Sequence, residues 1–462
     1  MNKLIIITLN ALLLLTSSCG IYRKYERPDN LVTDSLFGEK YHTVDTTSIV
    51  AMCWKELFTD PLLQVLIQKG LDNNTDIQSA ELRVEAARTN LQTARLAYLP
   101  IFNFSPEAGN NVFKSVSGTW TYSVPVTASW ELDLFGKLTN TKRMTHSSFR
   151  QSLDYCQTVQ TNLIAEIATQ YYTLLMLDEQ LRIALETTDK FYKSVKVMRS
   201  MKNAGLANEV GVAQMEGAYY EVKASAEDLK RSINEVENTL STLLCETPHA
   251  IERGTLSNTE FPQELKTGLP VNLLSNRPDV RYAEESLIQA YYAVNISRAA
   301  LYPALNLSGS AGWTNSLGST VANPAGLLLS AAGSLFMPVL NARSNINKVK
   351  IAKTQQEEAQ LFFQQTILNA GAEVNNALTQ YQTALAKSEW RSHQVSSLIT
   401  AVNKTEKLME HTSTTYLDVL TAQQSLLSAQ TAQAQDKFEM IQSVINLYHA
   451  LGGDQTLKSE EE

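Results

Sequence analysis

The chain has 462 residues, of which 44% are hydrophobic and 19% are charged, and its formal net charge is −8. This composition is typical of a folded protein with a sizeable core, while the negative charge and the lack of a basic cluster argue against a nucleic-acid partner. After the first 18 residues no apolar run reaches the length of a transmembrane helix, so any crossing of a membrane must be made by β-strands.

The first 18 residues are predicted to form a signal peptide. Lys3 precedes an apolar run over residues 4–15, and small residues follow that run. A charged start, a short apolar segment and small residues before the cleavage site are typical of secretory signals. Because Cys19 comes directly after the small residues, the site also resembles the lipobox of bacterial lipoproteins, although Thr16 stands where leucine is usual. We therefore predict a covalent N-terminal lipid on Cys19, with a plain signal peptide as the alternative.

The mature chain begins with a polar segment and continues into a helical pattern. Residues 19–60 have no regular period and are interpreted as a lipidated N-terminal arm. Apolar residues then recur at near-helical spacing from Pro61 to Tyr98, which predicts a helix. The pattern ends before Pro100, because the residue preceding a proline is pushed out of the helical region.

A stretch of period-two alternation follows the first helix. Its apolar residues are Trp120, Tyr122, Val124, Val126, Ala128 and Trp130. The residues between them are Thr121, Ser123, Pro125, Thr127 and Ser129. About ten alternating residues with aromatic residues at both ends suit a tilted membrane-spanning strand, and a strand of a soluble sandwich has the same pattern. The long proline-free helical pattern after Gly136 favours the membrane strand, with Trp120, Tyr122, Val124, Val126 and Trp130 facing lipid and the serines and threonines facing a lumen.

The order of elements recurs in the second half of the chain. Asp76 and Pro100 have the same sequence separation as Asp279 and Pro303. In each half a helix leads to two strands, a long helix, a polar turn and a returning helix, which predicts two structural repeats. The predicted strands are 101–104, 119–130, 304–308 and 325–337, the long helices about 138–202 and 342–410, and the returning helices about 209–245 and 416–451. The repeats are 61–246 and 269–453, with a linker at 247–268 and an acidic tail at 454–462.

Physical limits on these elements predict the fold class. Four strands per chain cannot close a barrel, and an open sheet edge in lipid would leave backbone groups unsatisfied, so several copies must pool their strands. A helix over residues 138–202 would be roughly 100 Å long at about 1.5 Å per residue, so it must stand in an aqueous compartment. The predicted fold is mainly α with a small membrane β-barrel, and its long helices pack side by side as in a coiled coil.

Four motifs carry a family resemblance. They are YERP at 25–28, WELDLFG at 130–136, NRPDV at 276–280 and LDVL at 417–420. Together with the order of elements, they make the mature chain resemble the TolC-like outer-membrane efflux factors, in the branch of the NodT-type outer-membrane lipoproteins of RND efflux systems. The resemblance implies a homotrimer with a 12-stranded β-barrel that is continued by a periplasmic α-helical barrel. Two departures are PVLNAR at 338–343, where the family has Pro-Ile-Phe and two glycines, and Val210-Gly211, where it has Leu-Asp.

The resemblance also implies a function and partners. Such a chain is the exit duct of a tripartite efflux pump, which conducts substrates passively from an inner-membrane RND-type transporter and a periplasmic membrane-fusion adaptor through the outer-membrane lipid. Drug efflux, metal-ion efflux and protein secretion use this type of channel, and the lipoprotein branch favours small molecules or metal ions. The alternatives are a structural coiled-coil envelope lipoprotein without a pore and the outer-membrane channel of a protein secretion system.

The two polar turns contain residues suited to capping helices. Gly205 can end one helix and Asn208 can begin the next, while Thr415 and Asp418 fit a capping box. The resemblance implies that these turns form the periplasmic mouth, where the adaptor docks. The residues predicted for these docking tips are Gly205, Leu206, Ala207, Val210, Thr414, Thr415, Leu417 and Asp418. For Asp418 a role as a helix cap alone is the alternative, and both roles can hold at once.

Two carboxylates before the second turn are candidates for a periplasmic gate. Glu406 and Glu410 lie one helical turn apart, and Glu406 falls beside an apolar stripe. In a threefold assembly each carboxylate would form a ring of three, and such rings select cations in pores. A solvated helix end is the alternative.

The sequence contains no pattern that predicts an enzyme. The six histidines are scattered, and there is no His-Glu-x-x-His, Gly-x-Ser-x-Gly or phosphate-loop motif. We therefore expect no catalytic residue, no metal site and no cofactor apart from the lipid on Cys19. Glu284 and Glu285 are expected on a solvated helix face. Cys53, Cys156 and Cys245 are interpreted as buried free thiols.

Overall fold

A computed structural model of the chain describes residues 24–28, 53–113, 116–258, 277–314, 327–336, 342–410 and 415–453. The lipidation site Cys19 and the tip residue Thr414 lie outside these ranges. The helices are α1 (Trp54–Leu57), α2 (Pro61–Asn73), α3 (Thr75–Leu96), α4 (Lys137–Asn203), α5 (Glu209–Leu243), α6 (Pro278–Ala299), α7 (Ala342–Glu410) and α8 (Tyr416–Ala450). The strands are β1 (Ile101–Phe104), β2 (Glu107–Phe113), β3 (Val116–Leu132), β4 (Ala304–Thr314) and β5 (Leu327–Phe336). None of the described helices is both long enough and apolar enough to cross a membrane.

The long helices agree with the prediction, whereas the first helix differs from it. The bounds of α4 and α7 match the two predicted long helices to within one residue at either end. The predicted helix from Pro61 to Tyr98 is broken at Asn74 into α2 and α3. The Asn74 carboxamide oxygen accepts a hydrogen bond from the amide of Asp76 at 2.8 Å, and its NH2 donates to the Leu243 carbonyl oxygen at 3.0 Å. This buried asparagine therefore caps α3 and ties it to the end of α5.

The chain divides into two compact units, and the first contains the sheet. It comprises the described residues within 1–31, 82–153 and 282–365. The strands are antiparallel in the order β1-β3-β4-β5, and β2 also pairs with β3. Because Phe104 pairs with Val126 and Glu107 pairs with Ser123, β1 and β2 form one interrupted strand. The sheet therefore has four strand positions, as predicted, although the first strand of each repeat extends further than the sequence indicated, to Phe113 and to Thr314.

A proline and a glycine meet at the interruption. Pro125 pairs with Gly312 on β4, and its carbonyl oxygen accepts a hydrogen bond from the Ser105 amide at 3.4 Å. The N and the C=O of one strand residue point to the same side, so the missing N–H of Pro125 falls at the break between β1 and β2. A Cβ on Gly312 would lie 2.4 Å from the Val124 carbonyl oxygen, which leaves room for glycine alone.

The first unit also contains an acidic pair that the sequence placed incorrectly. Glu284 binds the Arg27 guanidinium, with Arg27 Nε donating to Glu284 Oε1 at 2.8 Å. Glu285 is buried, and its carboxylate accepts a hydrogen bond from the Ser147 hydroxyl at 2.5 Å. It also forms an ion pair with Arg150, whose Nε lies 3.1 Å from Glu285 Oε1. The expectation of a solvated face is therefore wrong, because both carboxylates have cationic partners from other segments of the chain.

The second unit contains the main hydrophobic core. It comprises the described residues within 32–81, 154–281 and 366–462. Its fully buried large side chains come from the chain before α3 and from α4, and include Phe58, Leu63, Ile67, Ile164, Ile167, Tyr171 and Leu174. Near the first turn a smaller cluster is centred on Phe191, Met198 and Met215. Cys53 and Cys156 are half-buried free thiols, but Cys245 is exposed at the end of α5, so its expected burial is wrong.

Two buried charges hold helix pairs together in the second unit. Arg277, from the NRPDV motif, is buried and donates to Asp279 at 2.9 Å and 2.7 Å, to Glu373 at 2.7 Å, and to the Ala450 carbonyl oxygen at 2.7 Å. The motif thereby fastens the end of α8. Asp436 on α8 is buried as well.

The Asp436 carboxylate lies between two cations of α7. Its Oδ1 is 2.9 Å from Lys387 Nζ, and Arg391 Nε donates to its Oδ2 at 2.7 Å. Burial disfavours the charged form of Asp436, but the hydrogen bonds from Arg391 and Lys387 outweigh it and hold the pKa of this carboxyl below its usual range. The charged form of Asp436 therefore stabilises the contact between α7 and α8.

Candidate channel and docking surfaces

The strands present one apolar face and one polar face. Directly opposite residues of antiparallel strands lie on the same face of a sheet. The apolar cross-strand pairs are Val124–Trp313, Val126–Ala311 and Trp130–Leu307, and the polar pairs are Ser123–Thr314, Thr127–Ser310 and Ser129–Ser308. The pairing thus brings the five residues predicted to face lipid onto one face, with the serines and threonines on the other.

The apolar face is larger than the sequence indicated. Trp120 is 67% exposed and Val126 45% exposed within one chain, while Tyr122 and Val124 are half-buried. Phe102 and Phe104 of β1 pair with Ala128 and Val126, so they share this face and are exposed as well. The part of this apolar face that lies on β4 could have been predicted from the sequence, because the apolar residues alternate there as Leu305, Leu307, Ala311 and Trp313.

The WELDLFG motif forms the junction between β3 and α4. Asp133 accepts hydrogen bonds from the amides of Leu138 at 2.9 Å and Thr139 at 2.8 Å, so it caps α4. Gly136 takes a positive φ of 72°, which is the left-handed region that glycine tolerates. Trp130 Nε1 donates to the Tyr98 carbonyl oxygen at 2.9 Å. This motif therefore fixes how the strand passes into the long helix.

The first tip, between α4 and α5, is capped by the residues predicted from the sequence. Gly205 has a φ of 77°, and the Leu206 amide donates to the Met201 carbonyl oxygen at 2.8 Å, which ends α4. Asn208 Oδ1 accepts from the Gly211 amide at 2.9 Å and begins α5. The departure Val210-Gly211 therefore leaves the cap intact.

The second tip, before α8, is a complete capping box. Thr415 Oγ1 accepts from the Asp418 amide at 3.4 Å, and Asp418 Oδ2 accepts from the Thr415 amide at 3.0 Å. The helix-cap role predicted for Asp418 is confirmed.

The two tips lie against each other. The Tyr416 hydroxyl donates to Gln214 Oε1 at 2.8 Å, and a Cβ on Gly211 would lie 3.0 Å from the Tyr416 ring. Glycine at position 211 therefore allows this close approach. The apolar tip residues that remain open are Leu206, Val210 and Leu417, which are 65%, 59% and 52% exposed, whereas Ala207 packs on the cluster below.

The candidate gate carboxylate Glu406 has a partner within the chain. Gln423 Nε2 on α8 donates to Glu406 Oε1 at 2.9 Å and to Ser194 Oγ on α4 at 3.3 Å. Gln423 is buried, and its own Oε1 has no hydrogen-bond partner in the part of the chain that the structure describes. Sequence reasoning missed Gln423, because its contact joins two helices. For Glu410, the last residue of α7, only the backbone is described.

Titratable side chains are too scattered to hold a metal ion in the ranges that the structure covers. No three described His, Cys, Asp or Glu side chains come together as possible ligands. The features that distinguish this chain are a two-faced sheet, two very long helices and two exposed apolar tips. These features are those expected of a channel in the cell envelope.

Comparison with known proteins identifies the family. The family model "Outer membrane efflux protein" matches residues 66–246 and 269–453, which is more than half of the chain, so the chain belongs to this family. It is an outer-membrane channel of efflux systems, and neither an enzyme nor a spacer without a pore. The protein is located in the cell outer membrane and extends into the periplasm as a tunnel.

Relatives and solved structures agree with the family. The chain is 26% identical over 466 residues to the probable outer membrane lipoprotein SilC of Salmonella typhimurium, covering 98% of this chain and 99% of SilC. It is 28% identical over 415 residues to the pyoverdine export outer membrane protein OpmQ of Pseudomonas aeruginosa, covering 87% of each. The fold resembles the crystal structure of CusC with a TM-score of 0.85, 24% identity, and coverage of 94% of this chain and 100% of CusC. The mainly α fold with a small β part is therefore confirmed.

Proposed function

We propose that three copies of the chain close a 12-stranded barrel and form the exit duct of a tripartite pump. The observation that carries this proposal is the open sheet. Among the described strands β5 pairs only with β4, and β1 and β2 pair only with β3, so both edges have unpaired backbone groups. An open edge is costly in lipid, and edge-to-edge pairing of neighbouring copies removes it.

The exposed side chains support the same assembly. The apolar sheet face carries Trp120, Phe102 and Phe104, each exposed by about two thirds in one chain. On α7, Leu361 and Trp390 are 68% and 71% exposed and are available for contacts with neighbouring copies. In this proposal the sheet face contacts lipid, neighbouring copies cover α7, and residues 61–246 and 269–453 act as two equivalent repeats around the threefold axis.

We further propose that Cys19 carries a lipid. SilC is named as a lipoprotein, and the small residues before Cys19 support the same processing here. Arg27 is bound to Glu284, and the segment from Cys19 to Arg27 can reach about 28 Å when extended. The lipid would therefore stay close to the unit that contains the sheet. A mature N-terminus at another residue would refute this part.

The cargo is proposed to be small. OpmQ is named for pyoverdine export, and the similar CusC of Escherichia coli is named as a cation efflux system protein. Small molecules or metal ions, supplied by an inner-membrane transporter, are therefore the proposed substrates. Glu406 and Glu410 are proposed to lie at the periplasmic gate. When the gate opens, the hydrogen bond from Gln423 to Glu406 would have to break and water would take its place.

The tips are proposed to dock a periplasmic adaptor. Leu206, Val210 and Leu417 form small exposed apolar surfaces on turns whose caps use other atoms. Leu417→Asp places a charge there without removing a cap. We expect this variant to keep its trimer and its outer-membrane level but to lose efflux and cross-linking to the adaptor. Thr415→Ala should be milder, because it costs about 1 kcal/mol of capping and adds no charge to the tip.

The outcomes separate docking from assembly. If Leu417→Asp loses the trimer together with efflux, the tip serves folding and the docking assignment is wrong. If the variant transports normally, the mouth lies elsewhere. Conductance of the purified protein in a planar bilayer tests the pore itself, and an absence of channels would contradict the barrel.

A further inference from the structure

A run of spaced cations, less dense than a basic cluster, leads into the first tip. In a chain of net charge −8, cations recur at every third position over the last turns of α4. They are Lys190, Lys193, Lys196, Arg199 and Lys202. Lys193, Arg199 and Lys202 pair with neighbouring carboxylates. Lys196 has no carboxylate partner within the described ranges, and lies over an aromatic ring instead.

Lys196 belongs to an exposed cluster of tyrosines and lysines on α4 and α5. The ring centroids of Tyr192 and Tyr219 are 5.9 Å apart, and those of Tyr219 and Tyr220 are 5.0 Å apart. Lys196 Nζ lies 4.4 Å from the Tyr192 centroid, and Lys223 Nζ lies 5.8 Å from the Tyr219 centroid. Tyr220 is 61% exposed. We refer to these five residues as the tyrosine–lysine stripe.

The stripe faces away from the neighbouring hairpin. Gln214 contacts Tyr416 of α8 and so marks the flank of α5 that faces this helix. Lys223 comes nine positions after Gln214, which is about 180° around a helix at about 100° per residue. Tyr219 comes five positions after Gln214, or about 140° around. The second tip therefore leaves the stripe uncovered.

The composition of the stripe suits a protein partner. Tyrosine is enriched in the residues that dominate binding energy at interfaces. A cation over an aromatic ring contributes about 0.5–1 kcal/mol when exposed and about 2 kcal/mol or more when water is excluded, so covering the stripe strengthens contacts that already exist. Lys196 and Lys223 have no carboxylate partner among the residues that the structure describes, so carboxylates on a partner would complement them.

We propose that the tyrosine–lysine stripe is a docking surface for an acidic helix of the periplasmic adaptor. The inference rests on the proposed docking at the tips, and extends that contact along the α4–α5 hairpin. The stripe is continuous with the first tip, since α4 and α5 both end there. The stripe is formed by two adjacent helices, α4 and α5, and a third helix with glutamates or aspartates opposite Lys196 and Lys223 would complement it.

The test begins with a photo-cross-linker in cells. A photoreactive amino acid replacing Tyr220 should cross-link to the same adaptor that cross-links to the tips, at a helical segment of net negative charge. A cross-link to a second copy of this chain, or to lipid alone, would overturn the proposal. The purified adaptor identified in this way is then the probe for binding measurements.

The second step is charge reversal with a matched control. The double variant Lys196→Glu/Lys223→Glu should bind the purified adaptor about tenfold more weakly or worse. The double variant Lys69→Glu/Lys230→Glu, which changes the charge equally at exposed sites outside the stripe, should bind within about twofold of the original chain. Lysine substitutions at the cross-linked carboxylates of the adaptor should restore binding to the stripe variant. Equal losses in both double variants, or no rescue, would refute the proposed contact.

Failure of this inference is distinguishable from failure of the proposed function. If Leu417→Asp abolishes adaptor binding while the stripe variant binds normally, the tips dock and the stripe does not. If Leu417→Asp itself binds normally, the proposed docking at the tips is wrong. Loss of the trimer in the stripe variant would assign the stripe to a contact between copies and overturn the proposal.

Discussion

Replacement of Arg277 by methionine should destabilise the protein by about 2–3 kcal/mol. Arg277 is 2% exposed and donates to Asp279, Glu373 and the Ala450 carbonyl oxygen. Removing one partner of a buried ion pair costs about 3–5 kcal/mol. The Asp279 and Glu373 side chains are 38% and 49% exposed, so water can solvate both carboxylates again, which lowers the cost. The Ala450 carbonyl oxygen loses its hydrogen bond from Arg277, and a buried group left without a partner costs about 1–3 kcal/mol.

Urea unfolding of the detergent-solubilised protein, followed by circular dichroism of the helices, measures this cost. Arg182→Met is the matched control, because Arg182 pairs with Glu179 and Glu186 at the surface, where such pairs contribute about 1 kcal/mol or less. Arg277→Lys keeps the charge but not the planar fork, and should fall between the two. Equal losses of stability in the methionine variants at 277 and 182 would refute the reasoning. If Arg277→Met does not fold, Arg277→Lys takes its place in the test, and a lysine variant as stable as the original chain would also refute the reasoning.

Three further predictions follow from the sheet, the buried aspartate and the cysteines. Val124→Arg should hinder membrane insertion by about 2–4 kcal/mol, whereas Ser123→Arg should chiefly change conductance; equal effects in an insertion assay would contradict the assigned faces. Because the folded pKa of Asp436 is depressed, the charged carboxylate stabilises the protein above its unfolded pKa of about 3.9, and this stabilisation is lost as the pH falls through the folded pKa. Asp436→Asn should therefore destabilise the protein at pH 7 and have no effect in acid. Urea midpoints measured across this pH range test the expectation. Burial and the nearby charge of Glu81 raise the pKa of the Cys156 thiol, so iodoacetamide should label exposed Cys245 faster; the reverse order in peptide mass analysis would be inconsistent with the structure.

The sequence was most informative where local chemistry decides the structure. The long helices and both tips follow from periodicity and from capping residues such as Asn208 and Thr415, which act on neighbouring amides. The break at Asn74 was missed, because this side chain also bonds the distant Leu243 carbonyl oxygen. The apolar face of the sheet was predicted from alternation within one strand.

Contacts between distant segments were not visible in the sequence. Glu406 reads as a free carboxylate at a helix end, yet Gln423 of the next helix donates to it. Glu285 reads as solvated, yet Ser147 and Arg150 bind it. Side-chain pairing of this kind depends on how helices are rotated against each other, which periodicity fixes only coarsely.

The pairing of Pro125 with Gly312 places two residues with special backbone requirements opposite each other. A side chain at 312 is excluded by the Pro125 backbone 2.5 Å away, and Pro125 is tolerated because its missing donor faces the interrupted strand. A Cβ at 312 would have to widen the gap between β3 and β4, whatever residue stands at 125. A continuous strand in place of β1 and β2 would call for an N–H donor at 125, which proline lacks. The glycine is therefore required by the pairing of β3 with β4, while the proline is tolerated because of the break on the other side of β3, so each requirement can be tested by a single substitution.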